Sequence, residues 1–311
     1  MGAPTSAVAS TRCAPPDIQP LPVPPSRLGE SPFWHPLEHS LYWLDIPGRA
    51  LHRWHPDSGR HAQWPLPSEP GSMGLRDDGA LLIAMRDGLW RFDPATGQRY
   101  EVAPPPYDPG SQRFNDGKAD AFGRFWVGTL DDQRQPNAAL YCFDSGRLDR
   151  VAEGITVSNG LAFSPDRRTA YWTDTTAHAV YRLELDPEGR CAGARQLLRQ
   201  FDLREPQQPL TTYGGRPDGA TVDSQGAYWV AMFEGQRVLR LAPDGRVLQE
   251  VHLPVRCATM PCFGGDDLRT LYLTTARQGR PEAELAAWPH SGCVLSMRVD
   301  VPGLPVNFFS G

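Results

Sequence analysis

The chain reads as an all-β protein, a six-bladed β-propeller in one domain, and three observations predict it. Four short stretches recur at a constant spacing of 43 residues: Glu30-Ser31-Pro32-Phe33, Met73-Gly74-Leu75, Asp116-Gly117-Lys118 and Asn159-Gly160-Leu161-Ala162-Phe163. Asp218-Gly219-Ala220 follows after 59 residues and Thr259-Met260-Pro261-Cys262-Phe263 after a further 41. Each head then leads into a turn and an aromatic-rich strand, as in His35-Pro36 to Tyr42-Trp43, Ser164-Pro165-Asp166 to Tyr171-Trp172 and Ser224-Gln225-Gly226 to Tyr228-Trp229. Finally, the apolar runs are short and bounded by hairpin signals, with none of the three-and-four spacing of helical repeats.

In such a fold, equivalent positions at the starts of the innermost strands face a central channel. The heads therefore predict a ring of Glu30, Met73, Asp116, Asn159, Asp218 and Thr259. Carboxylates are rarely buried unless paired or bound to a cation. Three of them with an amide, at matched positions, predict a metal-binding channel for a hard divalent cation.

Composition sets outer bounds. A net charge of −5 and a pI near 5.9 supply no basic stripe for nucleic acid, and no apolar run approaches the 18 residues of a membrane span. Residues 1–25 are rich in Ala, Ser and Pro and lack the apolar core of a signal peptide. They read as a disordered extension to a propeller spanning 26–311, with Ile18 to Val23 placed to supply the outer strand that closes the last blade. The pattern Met1-Gly2-Ala3-Pro4-Thr5-Ser6 fits loose myristoylation rules, but a match so short recurs by chance. The six cysteines, at 13, 142, 191, 257, 262 and 293, contain no C-x-x-C and suggest free thiols in a reducing cytosol, so a cytoplasmic location is expected. Lys118 is the one lysine among 31 basic residues, and it sits two positions after Asp116. It reads either as a salt-bridge partner of Asp116 or Asp120 or as a substrate contact.

Along the chain, blade one opens at Gly29-Glu30 and runs to Trp54. Within it, His35-Pro36-Leu37-Glu38-His39 matches the H-x-x-E-H zinc-peptidase pattern. That pattern needs both histidines on one helical face, and Pro36 falls in a β-turn, which removes the zinc reading. Blade two contributes Met73 and ends near Tyr100, where the proline-rich Ala103 to Gly110 connection starts. Blade three holds the densest polar run, Arg113-Phe114-Asn115-Asp116-Gly117-Lys118-Ala119-Asp120. Period-two alternation puts Arg113 and Asn115 on one side of the strand and Asp116 and Lys118 on the other. Arg offers paired donors and Asn a donor and an acceptor, chemistry suited to a polyhydroxylated ligand. Asp131 and Asp132 follow the next strand and are expected near the same face. In blade four Asn159 is a neutral ligand candidate beside two carboxylates. The long connection from Glu205 to Pro217 accounts for the 59-residue interval and reads as a wall or lid. Blade five brings Asp218 and the strand Ala227 to Val230. Blade six ends with Gly292 to Val299, and its loop from Arg280 to His290 carries no clear signal.

Four ordered motifs now resemble one family. Glu30 to Trp34, Arg113 to Asp120 with Gly123 to Leu130, Ser158 to Asp166 and Pro217 to Asp223 are similar to the senescence-marker-protein/gluconolactonase family, also called regucalcin-like or luciferin-regenerating-enzyme-like. The resemblance covers about residues 28 to 300. It implies a six-bladed propeller with one divalent metal in its channel and, for most members, hydrolysis of sugar-acid lactones. Carried over by position, Glu30, Asn159 and Asp218 would be the metal ligands, Asp218 also the catalytic acid–base, and Arg113 and Asn115 the substrate contacts. Where animal members place a substrate-contacting glutamate, this chain has Gln133, preceded by Asp131 and Asp132.

The expected activity is therefore metal-dependent hydrolysis of an aldonolactone. Asp131 and Lys118 are further substrate-contact candidates, and Asp116 supports the ligands from behind. Oxygen ligands favour Ca²⁺, Mg²⁺ or Mn²⁺, and the resemblance also allows Zn²⁺ and Fe²⁺. No G-x-S-x-G or Gly-rich phosphate motif is present, which disfavours acyl-enzyme and nucleotide chemistry. Two other readings remain, a phosphotriester hydrolase in the same pocket and a non-enzymatic calcium-binding regulatory protein. Partners are expected to be small sugar lactones, with neither nucleic acid nor membrane.

Overall fold

A computed structural model describes residues 17–311. Six sheets surround a channel, and in four of them the strands simply follow chain order from the axis outwards, all antiparallel; the other two also take a strand from a chain end. The innermost strands are Gly29–His35, Pro70–Arg76, Gln112–Ala119, Ser158–Phe163, Arg216–Val222 and Ala258–Gly264. Every ring position lies on one of them.

Closure uses both ends of the chain. Gln19–Pro20 pairs antiparallel with Leu295–Arg298 and is the fourth strand of blade six. Leu21 and Val23 are buried behind it. The sheet therefore reaches back across the boundary at residue 26, and the rest of the extension, residues 1–16, lies outside the described residues. At the other end, Phe308–Phe309 adds a parallel fifth strand to Leu75 and Arg76 in blade two.

Six apolar clusters each bridge a pair of neighbouring blades, and together they run once round the ring. This explains why the first and second strands of most blades are buried along nearly their whole length, whereas an outer strand such as Val247–His252 buries only Val251. Trp43, Trp126, Trp172 and Trp229 occupy the second strands of four blades and are essentially inaccessible. Each indole N–H finds a partner: Ser26 Oγ at 3.1 Å, Asp120 Oδ2 at 2.9 Å, Ser158 Oγ at 2.7 Å and Asp223 Oδ2 at 2.9 Å. The stretch from Arg280 to His290 forms the helix Glu282–Ala287. No helix among the described residues is long and apolar enough to cross a membrane.

Each innermost strand has a register shift at its head, between Glu30 and Phe33, Pro70 and Ser72, Phe114 and Gly117, Asn159 and Ala162, Pro217 and Ala220, and Ala258 and Met260. A bulge adds one residue to its strand and re-aims the side chains beside it. Repeated in every blade, it turns the heads into the channel and toward the next blade.

Candidate active site

Glu30, Asn159 and Asp218 are all buried at one end of the channel, with accessibilities of 7, 4 and 7%. A continuous line of hydrogen bonds joins two of them to the polar run of blade three. Arg113 Nη1 donates to Asn115 Oδ1 at 2.8 Å and to Phe114 O at 2.9 Å. Asn115 Nδ2 donates to Asn159 Oδ1 at 2.9 Å and to Ser158 O at 2.8 Å. Asn159 Nδ2 in turn donates to Thr175 Oγ1 at 2.8 Å and to Asp218 Oδ1.

The backbone after the ligand candidates is tight. Gly160 has φ +61°, and a Cβ there would come within 2.3 Å of Tyr228 Oη, which donates to Gly160 O at 2.7 Å. Ser31, after Glu30, also adopts a left-handed φ of 48°. Its Oγ accepts from Met73 N at 3.0 Å, so the strained turn ties blade one to blade two.

Electrostatics single out the same residues. Burial, followed by the charges of Asp218 and Asp116, pushes the Glu30 carboxyl well above its usual range. Burial also lifts Asp218 to about 7 against Arg216, with Asp116 adding to the rise and Arg113 and Arg134 opposing it. Asp116 rises to about 6, mainly by burial and against Lys118 and backbone N–H donors. Arg113 is drawn down to about 10 by burial. Three carboxyls forced toward neutrality in one enclosure form a set that a cation would relieve.

The remaining heads join neighbouring blades. Asp116 Oδ2 accepts from Leu161 N of the next blade at 2.8 Å, while its Oδ1 is buried without a partner. Thr259 Oγ1 donates to Gly29 O at 2.6 Å. Met73 turns below the polar group, into the lower channel.

Two substrate-contact candidates lie elsewhere than the spacing suggested. Asp131 uses both carboxylate oxygens inside its own turn, accepting from Gln133 N at 2.9 Å, Gln135 N at 3.1 Å and Asn137 Nδ2 at 3.1 Å. Asp132 pairs with Arg86 at 3.0 Å. Lys118 crosses the channel beneath the ring, its Nζ donating to Ala220 O of blade five at 2.9 Å. It makes no ion pair with Asp116 or Asp120; Asp120 is taken by Arg124 and the Trp126 indole.

Sequence reasoning gave no role to Arg216, whose charge bears on Asp218. Its Nη1 lies 2.8 Å from Glu234 Oε2, and Arg280 grips the other oxygen of Glu234 at 2.6 Å. The available signal was that Arg216 precedes Asp218 by two residues, as Arg113 precedes Asn115.

Among the described residues no group of three or more His, Cys, Asp and Glu converges as a metal cluster. The oxygen set present is two carboxylates and one amide, with a third, partly unpaired carboxylate in Asp116. Its chemistry fits a hard divalent cation, because every donor is oxygen and the buried negative charge lacks a cationic side chain in direct contact.

Comparison with known proteins supplies the remaining context. The family described as SMP-30/Gluconolactonase/LRE-like region matches residues 28–277. A 6-deoxy-6-sulfogluconolactonase of Pseudomonas putida is 49% identical, over 92% of this chain and 96% of the relative. A pentonolactonase of Haloferax volcanii is 37% identical, over 80% and 82%. Among solved structures, a calcium-binding regucalcin of Agrobacterium tumefaciens superposes with a TM-score of 0.88 at 28% identity, covering 95% of this chain and 98% of that one.

Proposed function

The chain belongs to the SMP-30/gluconolactonase/LRE-like family, and from that premise we propose that it is a lactonase that opens a sugar-acid lactone to the free acid. One observation carries the reading: the hydrogen-bonded line Arg113–Asn115–Asn159–Asp218 with the buried Glu30 carboxyl in the same enclosure. The reading is supported because the guanidinium of Arg113 and the Oδ1 of Asn115 lie on one hydrogen-bonded line with an oxygen-only candidate ligand set, a combination a binding scaffold would not need. The names of the two lactonase relatives point to the same chemistry.

Glu30, Asn159 and Asp218 would hold one divalent cation. When bound, that cation supplies a Lewis acid for the lactone carbonyl. Arg113 and Asn115 orient the lactone through its hydroxyls, which fixes the face open to water. Asp218 removes a proton from the attacking water as the water oxygen bonds to the carbonyl carbon. The carbon–ring-oxygen bond then breaks, and Asp218 returns the proton to the departing oxygen, leaving a hydroxy acid. Asp116 keeps the Asn159–Gly160 bulge in place through Leu161 N.

The test is acid release from a panel of aldonolactones, including gluconolactone, pentonolactones and the 6-deoxy-6-sulfo derivative. It is run on chelated protein, after adding back Ca²⁺, Mg²⁺, Mn²⁺, Zn²⁺ or Fe²⁺, and with Asp218→Ala. Cation-dependent turnover that disappears in the variant is expected, and the panel then ranks substrate and metal. No lactone opened faster than its spontaneous rate would refute the reading.

A further inference from the structure

Below the ring the channel changes character. A cavity of about 370 Å³ runs from Lys118 down to the opposite face of the propeller, a size typical of small-molecule sites. Phe33, Met73, Leu75, Phe163, Phe263 and Val306 give it apolar walls, and the C-terminal segment from Leu304 to Asn307 forms one side. At its outer rim His39 Nδ1 lies 2.7 Å from Asp266 Oδ1, and His39, Asp266 and Pro305 are exposed, so the cavity communicates with solvent there.

Its roof is the single lysine of the chain. Among the described residues Lys118 Nζ has one hydrogen-bond partner, Ala220 O, and no carboxylate within 4 Å. Protein surrounds the side chain, and the surface it keeps faces the cavity. An ammonium taken out of water without a counter-ion is costly. The groups whose charge reaches it are Asp116, which is not in salt-bridge contact and has one oxygen bound to Leu161 N, and the Cys262 thiol, which burial pushes up to about 12 and so keeps neutral. Polar side chains along the walls are few: Ser31 Oγ accepts from Met73 N, Asn307 Nδ2 donates to Ala119 O, and Thr221 adds one hydroxyl. A sugar would therefore leave hydroxyls unpaired against these walls, whereas an apolar body would not.

We propose that this lower chamber is a second binding site, separate from the lactone site, for a small apolar monocarboxylate whose carboxylate accepts the two remaining N–H groups of Lys118 and whose hydrocarbon part fills the apolar walls. No reaction is required of it.

Titration calorimetry of the full chain with octanoate, and with octanol as its neutral counterpart, tests the assignment. One octanoate is expected per chain, binding at least tenfold more tightly than octanol. Lys118→Met should weaken octanoate at least tenfold and leave octanol unchanged. Val306→Trp, which fills the chamber without touching the lysine, should weaken both, and Asp218→Asn, in the upper site, should weaken neither. Thermal unfolding checks that each variant is folded; if Lys118→Met is not, Val306→Trp decides. No octanoate binding, equal octanoate affinity in Lys118→Met, or binding indifferent to Val306→Trp would each overturn the proposal.

Discussion

Replacing Asp218 by asparagine sets stability against activity at a single side chain. In the metal-free protein burial lifts this carboxyl from 3.8 to about 7, against the charge of Arg216. At pH 8 the folded chain must hold it ionised beside Glu30, at a cost of up to about 4 kcal/mol when each tenfold change is worth about 1.4 kcal/mol. An amide keeps an acceptor for Asn159 Nδ2 but carries its own burial cost, so the recoverable part is about 1–3 kcal/mol. At about 2 °C per kcal/mol for a chain of this length, the metal-free Tm should rise by about 2–6 °C. On the proposed mechanism the same change removes the proton acceptor and a metal ligand, so lactone turnover should fall by about a thousandfold or more. Scanning calorimetry in chelator, paired with acid release under saturating cation, reads both effects on one preparation. A Tm that drops, or turnover within tenfold of wild type, would show that Asp218 is not a strained, working carboxylate.

Three other outcomes are expected. Because the folded pKa of Asp218 lies above its unfolded value, the folded state binds more protons between pH about 4 and about 7. The stability gap between metal-free wild type and Asp218→Asn should therefore be small near pH 4 and widen as pH rises through that window, measured by urea midpoints; a gap that narrows contradicts the sign. Gly160→Ala adds a Cβ 2.3 Å from Tyr228 Oη at a φ of +61°. It should cost about 2–5 kcal/mol, combining left-handed strain of about 1–2 with a lost buried hydrogen bond of about 1–3, and a urea-derived loss under 1 kcal/mol would refute the packing described. Arg113→Met should raise KM for the lactone at least tenfold while leaving the cation-induced rise in Tm intact, and an unchanged KM would remove Arg113 from substrate orientation.

The ring of heads was legible because a propeller repeats its channel position once per blade, so a 43-residue spacing exposed Glu30 and Asn159 without knowledge of any contact. Arg113 and Asn115 were legible as chemistry, from a polar run where an innermost strand was due. Depth along the channel was not. Lys118 is two residues beyond Asp116, and two residues of strand carry a side chain roughly 6–7 Å along the axis, enough to move it from the polar end to the roof of an apolar chamber. The bulges compound this, since each inserted residue shifts the alternation that period-two reasoning relies on. The partners of Asp131 were not legible for a local reason: its turn offers two backbone N–H groups and the Asn137 amide, and the carboxylate accepts from all three. Arg216 and Glu234 meet at one end of blade five, from the start of its first strand and just past the end of its second, and Glu234 is also held by Arg280 of the following blade, a relation no local pattern encodes.

Glu30, Asn159 and Asp218 come from the first, fourth and fifth blades, so no blade by itself sets their separation. That distance is a property of the circumference, as the bore of a cask is set by its hoop rather than by any stave. Where blades six and one meet, the hoop is fastened at its rim by Gln19 and Pro20 and further in by the Thr259 hydroxyl on Gly29 O and the apolar cluster the two blades share. A loosened fastening there would widen the bore by a little everywhere and leave each blade intact, yet oxygen ligands tolerate only a few tenths of an ångström around a small cation. Affinity for the proposed cation would thus gauge how tightly the ring is closed, read out on the axis and away from the join.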